Sequence, residues 1–254
     1  MANDDDAPST TRFSDRADDY ARYRPGYPAA ALDAMLAGLA PCDRLAIADI
    51  GAGTGIMSRL LAERGAQVVA VEPNAAMRAA AAPHPRVRWS DGTAEATRLP
   101  AAAHDLIVVA QAFHWFDVAP TLCEFLRVLR RDGRLAVVWN KRSRDDAFTL
   151  GYRSALEAID GDAPAERSTF DPATVAAASD GAFANHRLVV ASNAHPLTEA
   201  ELLGRAMSTS TVPRSGPRHE TVLRLLRELH ARHRDTDGRA TMVYRTEVHL
   251  WDRA

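Results

Sequence analysis

The sequence predicts an α/β protein built on a seven-stranded, mostly parallel, doubly wound sheet with helices on both faces. Three observations carry this. Short apolar runs alternate with stretches of helical period along the chain. The first run, Ile47-Ala48-Asp49-Ile50, leads into Gly51-Ala52-Gly53-Thr54-Gly55. The second, Gln67-Val68-Val69-Ala70-Val71, ends on an acid, Glu72. Strand, glycine turn, helix, strand and acid, in that order, is how such a sheet holds a nucleoside at the carboxyl ends of its strands.

Each element has its own signal. Over residues 28–40, Leu32, Met35, Leu36 and Leu39 share one face, which predicts a helix packed on the sheet. Residues 56–64 form the helix after the glycine turn, and Gly65 stops it. Asn74 is placed to cap a helix over 75–82, which Pro83 and Pro85 prevent from continuing. A third strand is expected at 86–90 and a fourth at 105–109. Leu122, Phe125, Leu126 and Leu129 make a helical stripe before a fifth strand at 135–139. From 141 to 182 the pattern weakens. Phe148, Tyr152, Leu156 and Ile159 suggest one amphipathic helix, followed by a loop rich in Asp, Pro and Ala. An insertion there reads as part of a substrate lid. Strands return at 187–191 and 241–251, separated by helices at 198–207 and 219–233. The last helix buries Val222, Leu225, Leu226 and Leu229 and leaves Arg224, Arg227 and Glu228 as a solvated face.

This divides the chain into a disordered acidic tail at 1–12 and covering helices at 13–40. A nucleoside-binding core follows at 41–142, a lid insertion at 143–183, and strands and helices completing the sheet at 184–254. The 46% hydrophobic content of 254 residues supplies a sizeable core. No apolar run approaches the ~20 residues that span a bilayer, so no membrane is expected. Met1-Ala2-Asn3-Asp4-Asp5-Asp6 is the opposite of a secretory leader, and the cytoplasm is the expected location. The formal net charge of −2 gives no electrostatic case for nucleic acid. Lys141 is the only lysine among many arginines, a bias that genomic base composition explains simply. Cys42 and Cys123 lie far apart with no metal-type spacing, and no metal site is expected. Cys123 sits on a helical pattern and reads as buried.

The glycine turn lets backbone approach a ligand with no Cβ in the way. Glu72 is placed to accept hydrogen bonds from two ribose hydroxyls. A dinucleotide fingerprint has G-x-G-x-x-G spacing. Here the third glycine, Gly55, falls one residue early and Ile56 stands where the last should be. Beyond the third strand comes Gly92-Thr93-Ala94-Glu95-Ala96-Thr97-Arg98-Leu99-Pro100, and after the fourth Ala110-Gln111-Ala112-Phe113-His114-Trp115-Phe116-Asp117. The D-x-G-x-G-x-G turn with its downstream acid resembles motif I of class I S-adenosylmethionine (SAM) methyltransferases. The later runs resemble small-molecule enzymes of the trans-aconitate and cantharidin methyltransferase group. So do Tyr20-Ala21-Arg22-Tyr23-Arg24-Pro25-Gly26-Tyr27-Pro28 and Ser208-Thr209-Ser210. The likeness covers residues 13–253 and is strongest from 49 to 117.

The resemblance implies a Rossmann-like sheet with an antiparallel last strand and helical lid segments. It implies SAM as cofactor, with S-adenosylhomocysteine as product. It also fixes candidate positions. Asp49, Gly51, Ala52, Gly53, Thr54, Glu72, Pro73, Met77, Ala94, Glu95, Gln111 and Trp115 would hold the cofactor. Asp49, inside a strand, needs a partner; amides of the glycine turn or the SAM amino group are expected. In many relatives an Asp precedes the adenine-edging alanine; here it is Thr93, so recognition falls to the Ala94 amide and Glu95. Tyr20 and Arg24 come from the segment that folds over the cofactor, Arg24 being assigned the methionine carboxylate. Tyr23, Tyr27 and Arg142 are candidates for the acceptor pocket.

His114 has two readings: a general base or acceptor-orienting group, or a histidine fixed by hydrogen bonds beside the adenine. A carboxylate acceptor needs no base; a phenol or amine benefits from one. The expected partner is a small-molecule acceptor with an O or N nucleophile, and the chain is expected as monomer or homodimer. Two other functions fit less well. A non-catalytic SAM-binding regulator or scaffold would keep the same motifs. A nicotinamide oxidoreductase conflicts with the glycine spacing and lacks a nearby Tyr-x-x-x-Lys pair.

Overall fold

A computed structural model describes residues 17–160, 170–209 and 212–254. The predicted tail at 1–12, residues 13–16, part of the predicted lid (161–169) and Ser210 lie outside the described residues. The strands are β1 (Ala46–Ile50), β2 (Gln67–Val71), β3 (Val87–Ser90), β4 (His104–Ala110), β5 (Leu129–Arg142), β6 (Phe183–Leu197) and β7 (Ala240–Arg253). They form one sheet in the order β3-β2-β1-β4-β5-β7-β6. The pairs β1–β2, β1–β4, β2–β3 and β4–β5 are parallel, and the last strands are antiparallel. The predicted fold class holds. The order reverses direction beside β1, which places β1 and β4 at the switch point where such sheets bind ligands.

The helices are α1 (Ala17–Tyr23), α2 (Ala29–Leu36), α3 (Ile56–Glu63), α4 (Ala75–Ala79), α5 (Val118–Val128), α6 (Ala147–Asp160), α7 (Pro172–Ala178), α8 (Glu199–Met207) and α9 (Pro217–His233). Asn74 caps α4 as predicted, its side chain accepting from the Ala76 and Met77 amides. Thr198 and Glu201 form a capping box on α8. Beyond the predicted ranges, β6 and β7 are longer, while α2 and α4 are shorter. Cys123 is exposed, not buried. Leu122 and Phe125 set the inward stripe of α5, and position 123 falls about 100° away from Leu122 on the helical wheel.

The chain divides into two compact units. The first comprises Gly26–Trp139, Ser168–Ala191 and Thr246–Ala254, and the second Met1–Pro25, Asn140–Arg167 and Ser192–Arg245. In the first unit the strands alternate between two buried clusters. Ala48, Ile50, Ile107 and Val109 pack with Leu122 and Phe125 of α5. Ile47, Val68, Leu106 and Val108 pack with Leu32 and Met35 of α2 and Met57 and Leu61 of α3. Burial on both faces is why these strands read as unbroken apolar runs. The second unit is held by Phe148 and Tyr152 of α6, Leu202 of α8, Val222 and Leu226 of α9, and Met242 and Tyr244 of β7. Among the described residues, no helix is long and apolar enough to cross a membrane, and no group of three His, Cys, Asp or Glu is arranged to hold a metal ion.

Candidate active site

In the first unit, four loops meet at the carboxyl ends of β1, β2, β3 and β4. The turn after β1 starts by hydrogen bonding across to β2: the Gly51 and Ala52 amides donate to the Val71 carbonyl at 2.9 and 3.1 Å. Gly51 has φ +68, and a Cβ there would lie 2.7 Å from the Ala112 Cβ and 3.0 Å from the Phe116 ring. Gly55, at φ +74, would meet the Trp89 ring at 2.9 Å. Glycine is required at both positions by conformation and by space.

Glu72 ends β2 and is 8% exposed. Its Oε2 accepts the Gly53 amide at 3.0 Å and its Oε1 the Asn74 amide at 2.9 Å. Arg78 donates to the Glu72 carbonyl at 2.5 Å. Burial raises the Glu72 pKa; the amides of Asn74 and Gly53, and then Arg78, work against that rise. Each carboxylate oxygen carries two lone pairs, so a ribose hydroxyl can still be accepted beside an amide.

Asp49 is 1% exposed on β1. Its protein partner is not an amide of the glycine turn: Oδ2 accepts the Ser58 hydroxyl at 2.5 Å. Asp49 lies on the face that carries Ile47, toward α3, and the first turn of α3 brings Ser58 to it. Burial pushes the Asp49 pKa up to about 6, opposed by Ser58 and assisted by the charge of Glu72. Its Oδ1 is shut off from solvent without a partner, as is the Thr54 hydroxyl.

Ala94 is buried, and the loop carrying it is tied down from α5. Glu124 Oε1 accepts both the amide (3.0 Å) and hydroxyl (2.5 Å) of Thr97. Arg127 grips Glu124 through Nε and Nη2, both at 2.7 Å. Glu95 Oε1 accepts the Asp117 amide at 3.1 Å, joining this loop to the one after β4. Sequence reasoning missed Ser58, Thr97 and Glu124. The signal available was weak: the polar Thr97 in the G-x-A-E-x-T run and an acid on the face of α5 beside its apolar stripe.

After β4, Gln111 takes the left-handed region at φ +61 while its amide donates to the Val138 carbonyl at 2.9 Å. A non-glycine residue held there is a local strain of the kind that collects at functional sites. The 3-10 turn Phe113–Trp115 follows. His114 is exposed, its ring centroid 4.5 Å from Trp115 and 5.4 Å from Trp139. Pro73 and Met77 continue the turn after β2, Met77 being buried. Tyr27 packs against the α2–α3 cluster.

The remaining candidates lie in the second unit. Arg24 stacks 4.5 Å above the Tyr20 ring and donates to the Ser208 carbonyl at 3.1 Å. Arg142 lies 5.3 Å from the Tyr152 ring centroid. The Tyr23 ring presses on α8 so closely that a Cβ on Gly204 would lie 2.3 Å from it. A separate cavity of about 390 Å³ opens beside Ala46, Gln67 and His104, at the starts of β1, β2 and β4, away from the glycine turn. Its lining is mostly apolar and includes Gln67, Arg88 and His104.

Residues 48–137 match the model of the methyltransferase domain family. An uncharacterized methyltransferase of Mycobacterium tuberculosis is 41% identical over 157 residues, which are 59% of this chain and 60% of that protein. An uncharacterized methyltransferase-like protein of Schizosaccharomyces pombe is 34% identical over 130 residues, 50% of each chain. The chain thus spans less than two thirds of the curated relatives it matches. Among solved structures, one provisionally described as a type II methyltransferase of Anaeromyxobacter dehalogenans superposes with TM-score 0.66 and 26% identity, over 90% of this chain and 97% of that one. Haemonchus contortus phosphoethanolamine N-methyltransferase 2, bound to phosphomonomethylethanolamine and S-adenosylhomocysteine, shares the fold at TM-score 0.58 and 14% identity, over 100% of this chain and 60% of that one. Residues 48–137 therefore carry a methyltransferase-domain sequence on a Rossmann-like sheet.

Proposed function

We propose that the chain is a SAM-dependent methyltransferase acting on a small-molecule acceptor with an oxygen or nitrogen nucleophile. One observation carries the reading: the acid ending β2 hydrogen-bonds the central glycine of the turn after β1. That contact couples a ribose-accepting carboxylate to a loop open to close approach. The methyltransferase-domain match over the same residues supports it.

The residues present fit the cofactor. The carboxyl oxygen Asp49 Oδ1 and the Thr54 hydroxyl are sealed without partners beside the turn, a polar pair suited to an amino-acid ammonium and its neighbours. The space where a Gly51 Cβ would stand is enclosed by Ala112 and Phe116. Gly51, Ala52, Gly53 and Thr54 would face the methionine part, Glu72 the ribose, and Pro73, Met77, Ala94, Glu95 and Trp115 the adenine. The Gln111 carbonyl would face the sulfur end.

SAM supplies a methyl group on a positively charged sulfur, transferred by in-line displacement. The protein's work is to orient the acceptor and exclude water, which can be worth about 7–11 kcal/mol. His114, exposed and propped against Trp115 and Trp139, is positioned as the group that takes the acceptor's proton when that acceptor is a phenol or amine. The assignments of Tyr23, Tyr27 and Arg142 to the acceptor, and of Tyr20 and Arg24 to the cofactor, with Arg24 on its methionine carboxylate, rest on the sequence resemblance. A non-catalytic SAM-binding regulator would share every feature except turnover.

Calorimetric titration with SAM, S-adenosylhomocysteine and NADH tests the reading. Micromolar binding of the first two and none of NADH is expected; absence of SAM binding overturns it. Turnover of labelled SAM against carboxylic acids, phenols and amines then separates an enzyme from a regulator.

A further inference from the structure

The cavity beside Ala46, Gln67 and His104 lies wholly within the first unit. It opens at the amino ends of β1, β2 and β4, whereas the glycine turn and Glu72 follow the carboxyl ends of β1 and β2. Its origin is a missing helix. The connections from β1 to β2, β2 to β3 and β4 to β5 carry α3, α4 and α5, but residues 91–103, between β3 and β4, contain no helix. Register pairs Ala46 with Gln67 and Val69 with Arg88, so these four side chains share the sheet face that carries Ala48. Leu99, Pro100 and Ala103 of the connection stand around that face in place of a helix, leaving about 390 Å³. That is room for one small molecule.

The polar groups in this mostly apolar lining are Gln67, Arg88 and His104. His104 is 5% exposed, and its Nδ1 is shut off from solvent without a hydrogen-bond partner. Burial, then the charge of Arg130, lowers the His104 pKa; Asp105 opposes the fall and Arg88 adds to it. The ring is therefore neutral at pH 7, with a single N–H. Orphaned buried N–H groups are rarer than orphaned acceptors, which assigns that proton to Nε2 and a lone pair to the sealed Nδ1. Nε2 is then the nitrogen that offers a hydrogen bond to an occupant.

Arg88 is exposed, which puts its charge where the cavity meets solvent. Among the described residues no acid pairs with it. Asp105, next to His104, is already engaged: it accepts the Ala46 amide at 2.8 Å and the Arg130 guanidinium. Arg88 and His104 thus present donors to an occupant. A wholly apolar molecule would leave the His104 N–H unpaired. A compact anion such as phosphate would lose its hydration to apolar walls. An apolar body carrying one carboxylate satisfies both the walls and the donors, and the guanidinium fork matches its two oxygens.

We propose that this cavity is a second ligand site, separate from the glycine turn, for a small apolar carboxylate. Its hydrocarbon body lies against Val69, Leu99 and Pro100, and its carboxylate is held by Arg88 and the His104 Nε2–H. The assignment does not depend on the methyltransferase reading.

The test is calorimetry and NMR on the full chain, with benzoate as probe and benzamide as its neutral match. Benzoate should bind saturably, at least about tenfold tighter than benzamide, and shift the side-chain nitrogen resonances of His104, identified by their loss in His104→Phe. Arg88→Gln should weaken benzoate at least about tenfold. Arg88→Lys keeps the charge without the fork and should be intermediate. Arg88 is exposed, so these two variants keep the fold, and thermal melts check it. Absence of saturable benzoate binding overturns the site. Benzamide binding as tightly as benzoate overturns the carboxylate class. Unmoved His104 resonances, or undiminished binding in Arg88→Gln, place the probe elsewhere and overturn the assignment to this cavity. Every readout is independent of SAM, so the methyltransferase reading stands or falls separately.

Discussion

Glu72 Oε2 accepts a hydrogen bond from the Gly53 amide at 3.0 Å, so the acid that ends β2 also shapes the turn that follows β1. Its other oxygen holds the Asn74 amide at the start of α4. One carboxylate therefore sets two backbone segments while remaining able to accept from a ribose. Glu72→Gln keeps the size and one acceptor oxygen but loses the charge. Glu72→Ala leaves the Gly53 and Asn74 amides without that partner, at a cost of about 1–3 kcal/mol for each amide left unsatisfied. Alanine should weaken SAM at least tenfold and lower Tm; glutamine should weaken SAM with a smaller loss of Tm. Unchanged SAM affinity in the alanine variant, read by calorimetry, would end the ribose assignment.

Gly51 is the turn's tightest point. Gly51→Ala places a Cβ 2.7 Å from Ala112 at φ +68, combining overlap with a left-handed backbone. Costs of order 1–3 kcal/mol attach to such strain alone. Thermal melts should show a clear drop, and SAM binding should be lost more severely than stability because the turn must shift. Pairing it with Ala112→Gly removes the closest overlap, leaves the 3.0 Å approach to the Phe116 ring, and should recover part of the Tm but not the strain.

The loop bearing Ala94 and Glu95 hangs on Glu124 through Thr97. The grip of Arg127, then the Thr97 bonds, hold the Glu124 pKa below its ordinary value against desolvation. A lowered folded-state pKa means the bridge contributes fully above the unfolded pKa near 4.5 and is lost as pH falls through the folded value. Glu124→Gln should therefore lower Tm at pH 7 and converge with the wild type in acid. Amide hydrogen exchange across residues 92–99 should rise in the variant at neutral pH.

The sheet and its ligand turn are legible because their signals are local. Parallel strands buried on both faces are written as continuous apolar runs, and Gly51, Gly53 and Gly55 stand at alternate positions directly after β1. Contacts between segments distant in sequence are not legible. Ser58 reaches Asp49 only because α3 doubles back over β1. Glu124 joins Thr97 across 27 positions. Strand β6 extends from Phe183 through polar Asn185, His186 and Arg187, whose exposure disguises its start. Arg24 and Arg205 lie in separate motifs, one in the Tyr-rich opening and one in α8, and only folding shows that both point at Ser208.

His114 sits in the turn after β4 with its ring against Trp115 and Trp139. If it takes a proton from the acceptor, His114→Ala should lower kcat by about 10²–10⁴ for a phenol or amine and leave SAM affinity within a small factor. For a carboxylate acceptor, already ionised, the same variant should mainly change KM. The two outcomes separate base from orienting group, and full turnover with unchanged KM would exclude both roles.

Asp49 links pH to the same site. Its folded pKa, raised by burial to about 6, stands above the ordinary value of 3.8. Between those two values the folded protein binds more protons than the unfolded one, so stability falls as pH rises through this window and levels off above it. Asp49→Asn removes the charge but keeps an oxygen for the Ser58 hydroxyl. The Tm difference, variant minus wild type, should therefore grow from pH 4 to 6 and stay constant to pH 8. SAM should move in the opposite sense. An ionised Asp49 Oδ1 can take an ammonium, so wild-type affinity should rise as pH climbs through 6, while the asparagine variant stays weak at every pH. Equal pH dependence of binding in the two proteins would place the cofactor's amino group elsewhere and leave Asp49 with a purely structural bond to Ser58.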